Sequence, residues 1–355
     1  MKSAPFEGLK VIELASVLAG PAVVMFFAEL GAQVIKIENP ETGGDITRKW
    51  KLPGENPEEK TSAYYLSSNW GKEIIFIDIS KNSGREQLFQ LLSDADILLV
   101  NFKSGDAEKF HIDYDSISPQ FPRLIYAQIS GYGATDPRPA FDLVMQAETG
   151  FMSMNGTAES GPLKMPVAFI DLMAAHQLKE GILVALLNRT KTSKGCCVHV
   201  SLFDSAIASL ANQASNFLVA QHVAAREGSL HPNIAPYGET FLCSDNRYIV
   251  LAVGNNAQFS ALCSALGLIS ILSDERFTNN QSRVIHRKEL YELLLPCFSQ
   301  RTSVEISGML EKSGAPFAIV KNVGEILTEK ITKSLILDEK CVKTVTFSIK
   351  EGKNE

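Results

Sequence analysis

The chain has 355 residues, 45% of them apolar and 21% charged, with a formal net charge of −6. Its length fits two domains at roughly 150 residues each, and its acidic balance argues against a polyanion such as DNA as the main partner. No apolar run reaches the ~20 residues that a membrane helix requires, and no low-complexity tract or solenoid-period repeat interrupts the chain.

In chain order, the opening "MKSAPFEGLKVIEL" carries no apolar signal core, so a cytoplasmic location is expected. "LKVIEL" is a short, nearly continuous apolar run, as in a strand buried on both faces of a parallel sheet. "GPAVVMFFAELGA" follows as a helix with Pro21 at its first position and Gly31 at its end, and "QVIKIE" is the next strand. Such a strand–helix–strand unit crosses over right-handed. A dinucleotide-binding unit would carry G-x-G-x-x-G in the first turn, so that backbone could approach a pyrophosphate. Here the turn is "ASVLAGPA": Gly20 stands alone, and bulky Val17 and Leu18 occupy the positions where the backbone should be bare. Glu38 then reads as an acidic residue on a solvated edge, not a ribose ligand. The unit predicts an α/β scaffold that does not bind NAD.

A second α/β pattern follows. "KEIIFIDIS" is a strand, "GREQLFQLLSDA" a helix, "DILLVNF" a strand, and "RLIYAQISGYG" a strand ending at Gly131 and Gly133. Open parallel sheets bind ligands at the ends of such strands. Those ends carry Asn101, Phe102 and Lys103 in one case and Ser130 to Gly133 in the other. Lys72, Lys103 and Lys109 could form a phosphate-binding group if the fold gathers them; taken singly, each reads as a solvated lysine.

"PVAFIDLMAAHQLKEGILVALLNRTKTSKG" predicts a long helix with Asp171 at its start. As an N-cap, its carboxylate would accept first-turn N–H groups and stay ionised beside the positive helix end. An ionised carboxylate at a helix start is equally how a carboxylate nucleophile is prepared, and the residues alone leave both roles open. His176, five residues on, falls off that face and is expected to be packed. The six cysteines form no CxxC pair and read as reduced core residues. The scattered histidines lack ligand spacing, so no metal site is expected.

Taken in series, "GLKVIELASVLAGPAVVMFFAELGAQVIKIENP", "DITR", "NWGK", "LLVNFKSG", "PRLIYAQISGYG", "FDLVMQAETGFMSMNG", "VAFIDLMAAHQLKEGILVALLNRTKTSKG" and "VHVSLFDSA" resemble the class III coenzyme A-transferase family, which includes the α-methylacyl-CoA racemases. The similarity is fainter beyond residue 230. It implies a Rossmann-like parallel-sheet large domain over residues 1–215 and a smaller α+β domain over 225–330. Residues 331–355 would return to the large domain, and two chains would form an interlocked homodimer. Coenzyme A or acyl-CoA is then the substrate, with a small carboxylic acid as second substrate and no permanently bound cofactor. The resemblance makes Asp171 the catalytic nucleophile. It places Asn101 and Phe102 beside the adenine, and Lys103 and Lys109 at the adenosine phosphates. Leu18, Asn69 and Lys72 match further CoA-contacting positions, and Phe141 and Asp142 match a segment near the thioester.

Racemases of this fold carry a histidine where this chain has Phe141. Moving a proton at Cα requires two groups flanking the carbon, and phenylalanine moves none. CoA transfer is therefore favoured over racemisation, and over a non-catalytic CoA-binding protein, since Asp171 is present. The segment "LHPNIAPYGETFLCSDNRYI" lacks the glycine run of the formyl-CoA transferase branch, so oxalate–formate exchange is not expected.

Overall fold

A computed structural model describes residues 4–349. The described residues divide into two compact units, one formed by residues 4–152, 164–218 and 333–349 and the other by residues 153–163 and 219–332.

The first unit is built on six parallel strands: β1 (Lys10–Leu14), β2 (Gln33–Glu38), β3 (Glu73–Phe76), β4 (Ile97–Val100), β5 (Ile125–Ser130) and β6 (Cys197–Ser201), in the order 3-2-1-4-5-6. Ile12 pairs with Ile35 on one side and with Leu98 on the other, so β1 and β4 lie side by side where the strand order reverses. A crevice opens at that point beyond the strand ends. Continuous apolar runs predicted burial on both faces, and Val11, Ile12 and all of Ile97–Val100 are wholly buried. Each such side chain contributes about 1.5–3 kcal/mol.

Helix α1 (Ala19–Glu29) is buried from Ala19 through Phe27, consistent with its being apolar all round. It starts two residues earlier than the sequence predicts, because the Leu18 C=O already accepts the Ala22 N–H at 2.8 Å. Pro21 is thus its third residue, still among those whose N–H has no partner within the helix. Gly31 ends it with φ +93°, where a side chain would also strike Ala4. Gly20 is needed for proximity: a Cβ there would lie 2.4 Å from Ala15 Cβ.

Helix α2 (Asn82–Leu92) follows β3, α3 (Asp142–Glu148) follows β5, and the 24-residue α4 (Phe169–Thr192) packs on α1, β5 and β6. Leu183, Val184 and Leu187 of α4 remain exposed, Val184 by 67%. Residues 341–347 lie against α1: Glu29 accepts hydrogen bonds from the Thr344 N–H (2.7 Å) and hydroxyl (2.8 Å), and Phe347 packs on Phe26.

The second unit has an antiparallel sheet, β7 (Tyr237–Leu242), β8 (Tyr248–Ala252) and β9 (Phe317–Ile319). Helices Asn256–Leu266, Arg287–Ser299 and Ser303–Ser313 contribute to its core, where Phe241 stacks on Tyr291 and Phe298. Fully buried Arg283 donates to the Ala235 and Phe277 carbonyls and to Asn256, so its buried guanidinium is satisfied.

Sequence expectations fail at several polar residues. Glu38 is no solvated edge: it is 4% exposed, pairs with Arg48 through both carboxylate oxygens (2.6 and 2.8 Å), and accepts the Tyr65 hydroxyl. His176 is exposed, because position 176 turns away from the face of α4 that buries Ala174, Ala175 and Leu178. Cys197 is exposed on the edge strand, while Cys243, Cys263 and Cys341 are buried; all six cysteines are free.

Candidate active site

The site begins with the loop Ala15–Leu18, between the end of β1 and the start of α1. Asn101, just past β4, grips the Ser16 backbone twice: its Oδ1 accepts the Ser16 N–H at 3.0 Å, and its Nδ2 donates to the Ser16 C=O at 2.8 Å. Val17 takes φ +73°, rare for a β-branched residue. Its N–H points at the Asp45 carboxylate, 3.2 and 3.4 Å from the two oxygens. Lys36, wholly buried in β2, donates to the Ala15 C=O at 2.8 Å and to Asp45 and Glu13 at 3.0 Å.

This loop forms part of the wall of a cavity of about 350 Å³. Leu18, Asn101, Phe102, Lys103, Phe141 and Asp171 all line it, so six of the ten predicted site residues come together. A second cavity of about 580 Å³ adjoins it, and Ser16, Ile46, Asn101, Phe102 and Lys103 line both. Asn101, Phe102 and Lys103 thus border both cavities at the strand ends.

Asp171 is the third residue of α4 and is 8% exposed. Among the described residues no group donates a hydrogen bond to its carboxylate, so of the two roles the sequence left open it does not fill that of N-cap. Asp142 contributes there instead: its Oδ1 accepts the Ile170 N–H at 2.8 Å. Burial pushes the Asp171 carboxyl up to about 7, with the Asp142 charge adding to the effect. The helix end does not keep it ionised as position alone implied, because desolvation outweighs the favourable dipole. The result is a desolvated carboxylate facing a cavity, a group suited to acid, base or nucleophile chemistry near neutral pH.

Four predicted site residues lie outside the 350 Å³ cavity wall. Asp142 has both oxygens engaged, the second by Gln146 at 2.6 Å, so it orders the start of α4. Lys72 is buried in an ion pair with Glu13 at 2.8 Å and donates to the Pro21 C=O and to Asn69; burial pushes its ammonium down to about 7 against the pull of Glu13. Asn69 is buried and also donates to the Tyr65 C=O. Lys109 is exposed and pairs with Asp106 at 2.6 Å. The three lysines thus do not form one group: Lys103 alone borders the cavities.

Sequence reasoning missed several residues around the cavity. Arg138 and Asp136 line it, paired at 2.8 Å, with the guanidinium 3.6 Å above the Tyr132 ring. His199 was missed too: its Nε2 lies 2.8 Å from the Oγ of Ser130, which lines the cavity at the β5 end the sequence had singled out. Asp45 is buried in contact with the cavity loop. Asp45 opens the "DITR" stretch quoted for the resemblance, but nothing local in the sequence marked its contact with Val17, 28 residues away.

Among the described residues, no helix is long and apolar enough to cross a membrane, and no group of three His, Cys, Asp or Glu could hold a metal ion. The family model described as CoA-transferase family III matches residues 6–337. A succinate–glutarate CoA-transferase of Agrobacterium fabrum is 35% identical over 331 residues, covering 92% of this chain and 82% of that one. The human succinyl-CoA:glutarate CoA-transferase is 34% identical over 92% of this chain and 74% of its own. Among solved structures, a CaiB/BaiF family protein from Brucella suis superposes with a TM-score of 0.86 at 36% identity, covering 98% of this chain and 93% of that one. A cavity at the switch point of a parallel sheet, a buried carboxylate in its wall and these matches across nearly the whole chain converge: this protein belongs to the family III CoA-transferases.

Proposed function

We propose that the protein moves CoA from an acyl-CoA donor to a small carboxylic acid by way of a covalent intermediate on Asp171. The observation that carries this reading is the Asp171 carboxylate: buried, without a hydrogen-bond donor among the described residues, and in the wall of the cavity that Leu18, Asn101, Phe102 and Lys103 also line.

In this mechanism an Asp171 oxygen attacks the thioester carbonyl, forming a mixed anhydride and releasing CoA thiolate. The thiolate attacks the aspartyl carbonyl, the bridging oxygen leaves with the donor acid, and Asp171 holds CoA as a thioester. The acceptor carboxylate then attacks that thioester, and returning thiolate takes the acceptor's acyl group as new acyl-CoA. Burial serves two ends. It weakens hydration of the attacking carboxylate, and it keeps water from hydrolysing either activated intermediate. Asp171 attacks only when ionised, so transfer rises with pH through about 7.

Phe102 and Lys103 are assigned to the nucleotide end of CoA, with Lys103 at a phosphate. Asn101 shapes the Ser16 backbone from the same place, whatever further contact it makes. The relatives' names include succinate and glutarate, and exposed Arg138 in the cavity wall offers a cation for a second carboxylate, so short dicarboxylates are the favoured acids. A homodimer is part of the proposal: the exposed apolar side chains of α4 and the unpaired edge of β6 are surfaces that a second copy would cover.

The test incubates the purified protein with acyl-CoAs and isotope-labelled succinate, glutarate and oxalate, following labelled acyl-CoA by mass spectrometry. Transfer that vanishes in Asp171→Ala supports the reading. Exchange of the Cα hydrogen of a 2-methylacyl-CoA without transfer would replace it with racemisation. CoA binding with neither reaction would favour a non-catalytic binder.

A further inference from the structure

We propose that Asp45 is a positioning residue for the acyl-CoA cavity: its buried carboxylate holds Val17 in the left-handed conformation and thereby sets the wall formed by Ser16 to Ala19. The inference rests on reading that cavity as the CoA site.

A β-branched residue at φ +73° is among the least favoured backbone states, and it persists only where surrounding contacts over-determine it. The contacts here are specific. Both Asp45 oxygens face the Val17 N–H, at 3.2 and 3.4 Å. The same carboxylate accepts the Thr47 N–H (3.0 Å), the Thr47 hydroxyl (2.8 Å) and Lys36 Nζ (3.0 Å), while the Asp45 N–H donates to Glu38 at 2.9 Å. Lys36 is held by Glu13, which is paired in turn with Lys72, and all four charged side chains are essentially buried. Lys36 also takes the Ala15 C=O, so the network holds the loop on either side of Ser16, whose own peptide groups are gripped by Asn101.

Residues 16–19 are contiguous in the cavity wall, so a flip of Val17 to negative φ would reorient backbone that forms that wall. A carboxylate that served only to cap the short turn after it would require the Thr47 contacts alone.

The experiment is a double-mutant cycle read by calorimetric affinity for coenzyme A: wild type, D45N, V17G and D45N/V17G. Asparagine presents an amide to donors that now meet an oxygen. D45N is expected to weaken CoA binding about tenfold beside Val17. In the V17G background it should cost less than about threefold, because glycine takes this φ without help. Equal losses in the two backgrounds would overturn the proposal, since a purely structural role for Asp45 does not depend on residue 17. Should D45N fail to fold, or wild type fail to bind CoA, V17G decides by its unfolding midpoint. Strain at Val17 predicts a rise, and a fall would overturn the inference. Failure of wild type to bind CoA would overturn the CoA-site reading separately.

Discussion

Replacing Asp171 by asparagine tests the electrostatics of the site without any substrate. Asp171 is 8% exposed and has its carboxyl raised from 3.8 to about 7, burial being the larger cause and Asp142 the smaller. The folded chain therefore holds this proton more tightly than the unfolded chain does. Between pH 4 and pH 7 the unfolded carboxyl has ionised while the folded one has not, so this group's contribution to stability falls as pH rises across that window. Above pH 7 the folded state carries the whole penalty, about 4 kcal/mol at about 1.4 kcal/mol per pH unit. Asparagine keeps the shape and removes the ionisation. Its buried amide adds a cost of about 1–3 kcal/mol, but that cost does not vary with pH. The stability difference between D171N and wild type, from urea unfolding under reducing conditions, should move by about 4 kcal/mol in favour of D171N between pH 4 and pH 8. A difference flat to within about 1 kcal/mol across that range would show that Asp171 titrates as an ordinary surface carboxylate. The description of a desolvated nucleophile would then be wrong.

Three further expectations follow from particular contacts. Lys103→Ala should raise the KM for acyl-CoA about fivefold while leaving the KM for an acyl-pantetheine, which lacks the nucleotide, nearly unchanged; steady-state kinetics with both donors measures this. Leu98→Ala, at a wholly buried position in β4, should lower the stability of the first unit by about 2–5 kcal/mol in urea unfolding. Val184→Glu places a charge on the exposed apolar face of α4, and sedimentation should show the proposed dimer dissociating while the circular dichroism spectrum is retained.

Much of the sheet was legible in the sequence because burial on both faces leaves an unmistakable apolar run, as in "ILLV" of β4. The turn "ASVLAGPA" carries its argument against a nicotinamide site in the glycines it lacks. It did not show why Val17 is tolerated there, since the reason is Asp45, reached only after the chain has crossed β2. Polar residues inside strands were the least legible: Glu38 was read as a solvated edge, and Glu13 and Lys36 drew no reading at all. Glu13, Lys36 and Glu38 satisfy one another or a distant partner, and such long-range pairing leaves no local pattern. Asp171 was placed at the correct helix start with the wrong electrostatics. Position along a helix can be read from one segment, whereas burial depends on every element packed around it. Asp142 shows the same limit from the other side: its capping of Ile170 joins two helices that sequence spacing does not connect.

The most direct measurement follows oxygen. With an acceptor acid labelled in its carboxylate with oxygen-18, the reaction would be quenched after a single turnover and the peptide containing Asp171 weighed. The mechanism proposed here leaves one acceptor oxygen on Asp171 when thiolate departs with the acyl group, and a further turnover passes that oxygen to the next donor acid. An Asp171 peptide carrying one labelled oxygen is the predicted result. An unlabelled peptide, with the label instead in the donor acid from the first turnover, would mean that the two acids exchange CoA directly and that Asp171 never becomes covalent.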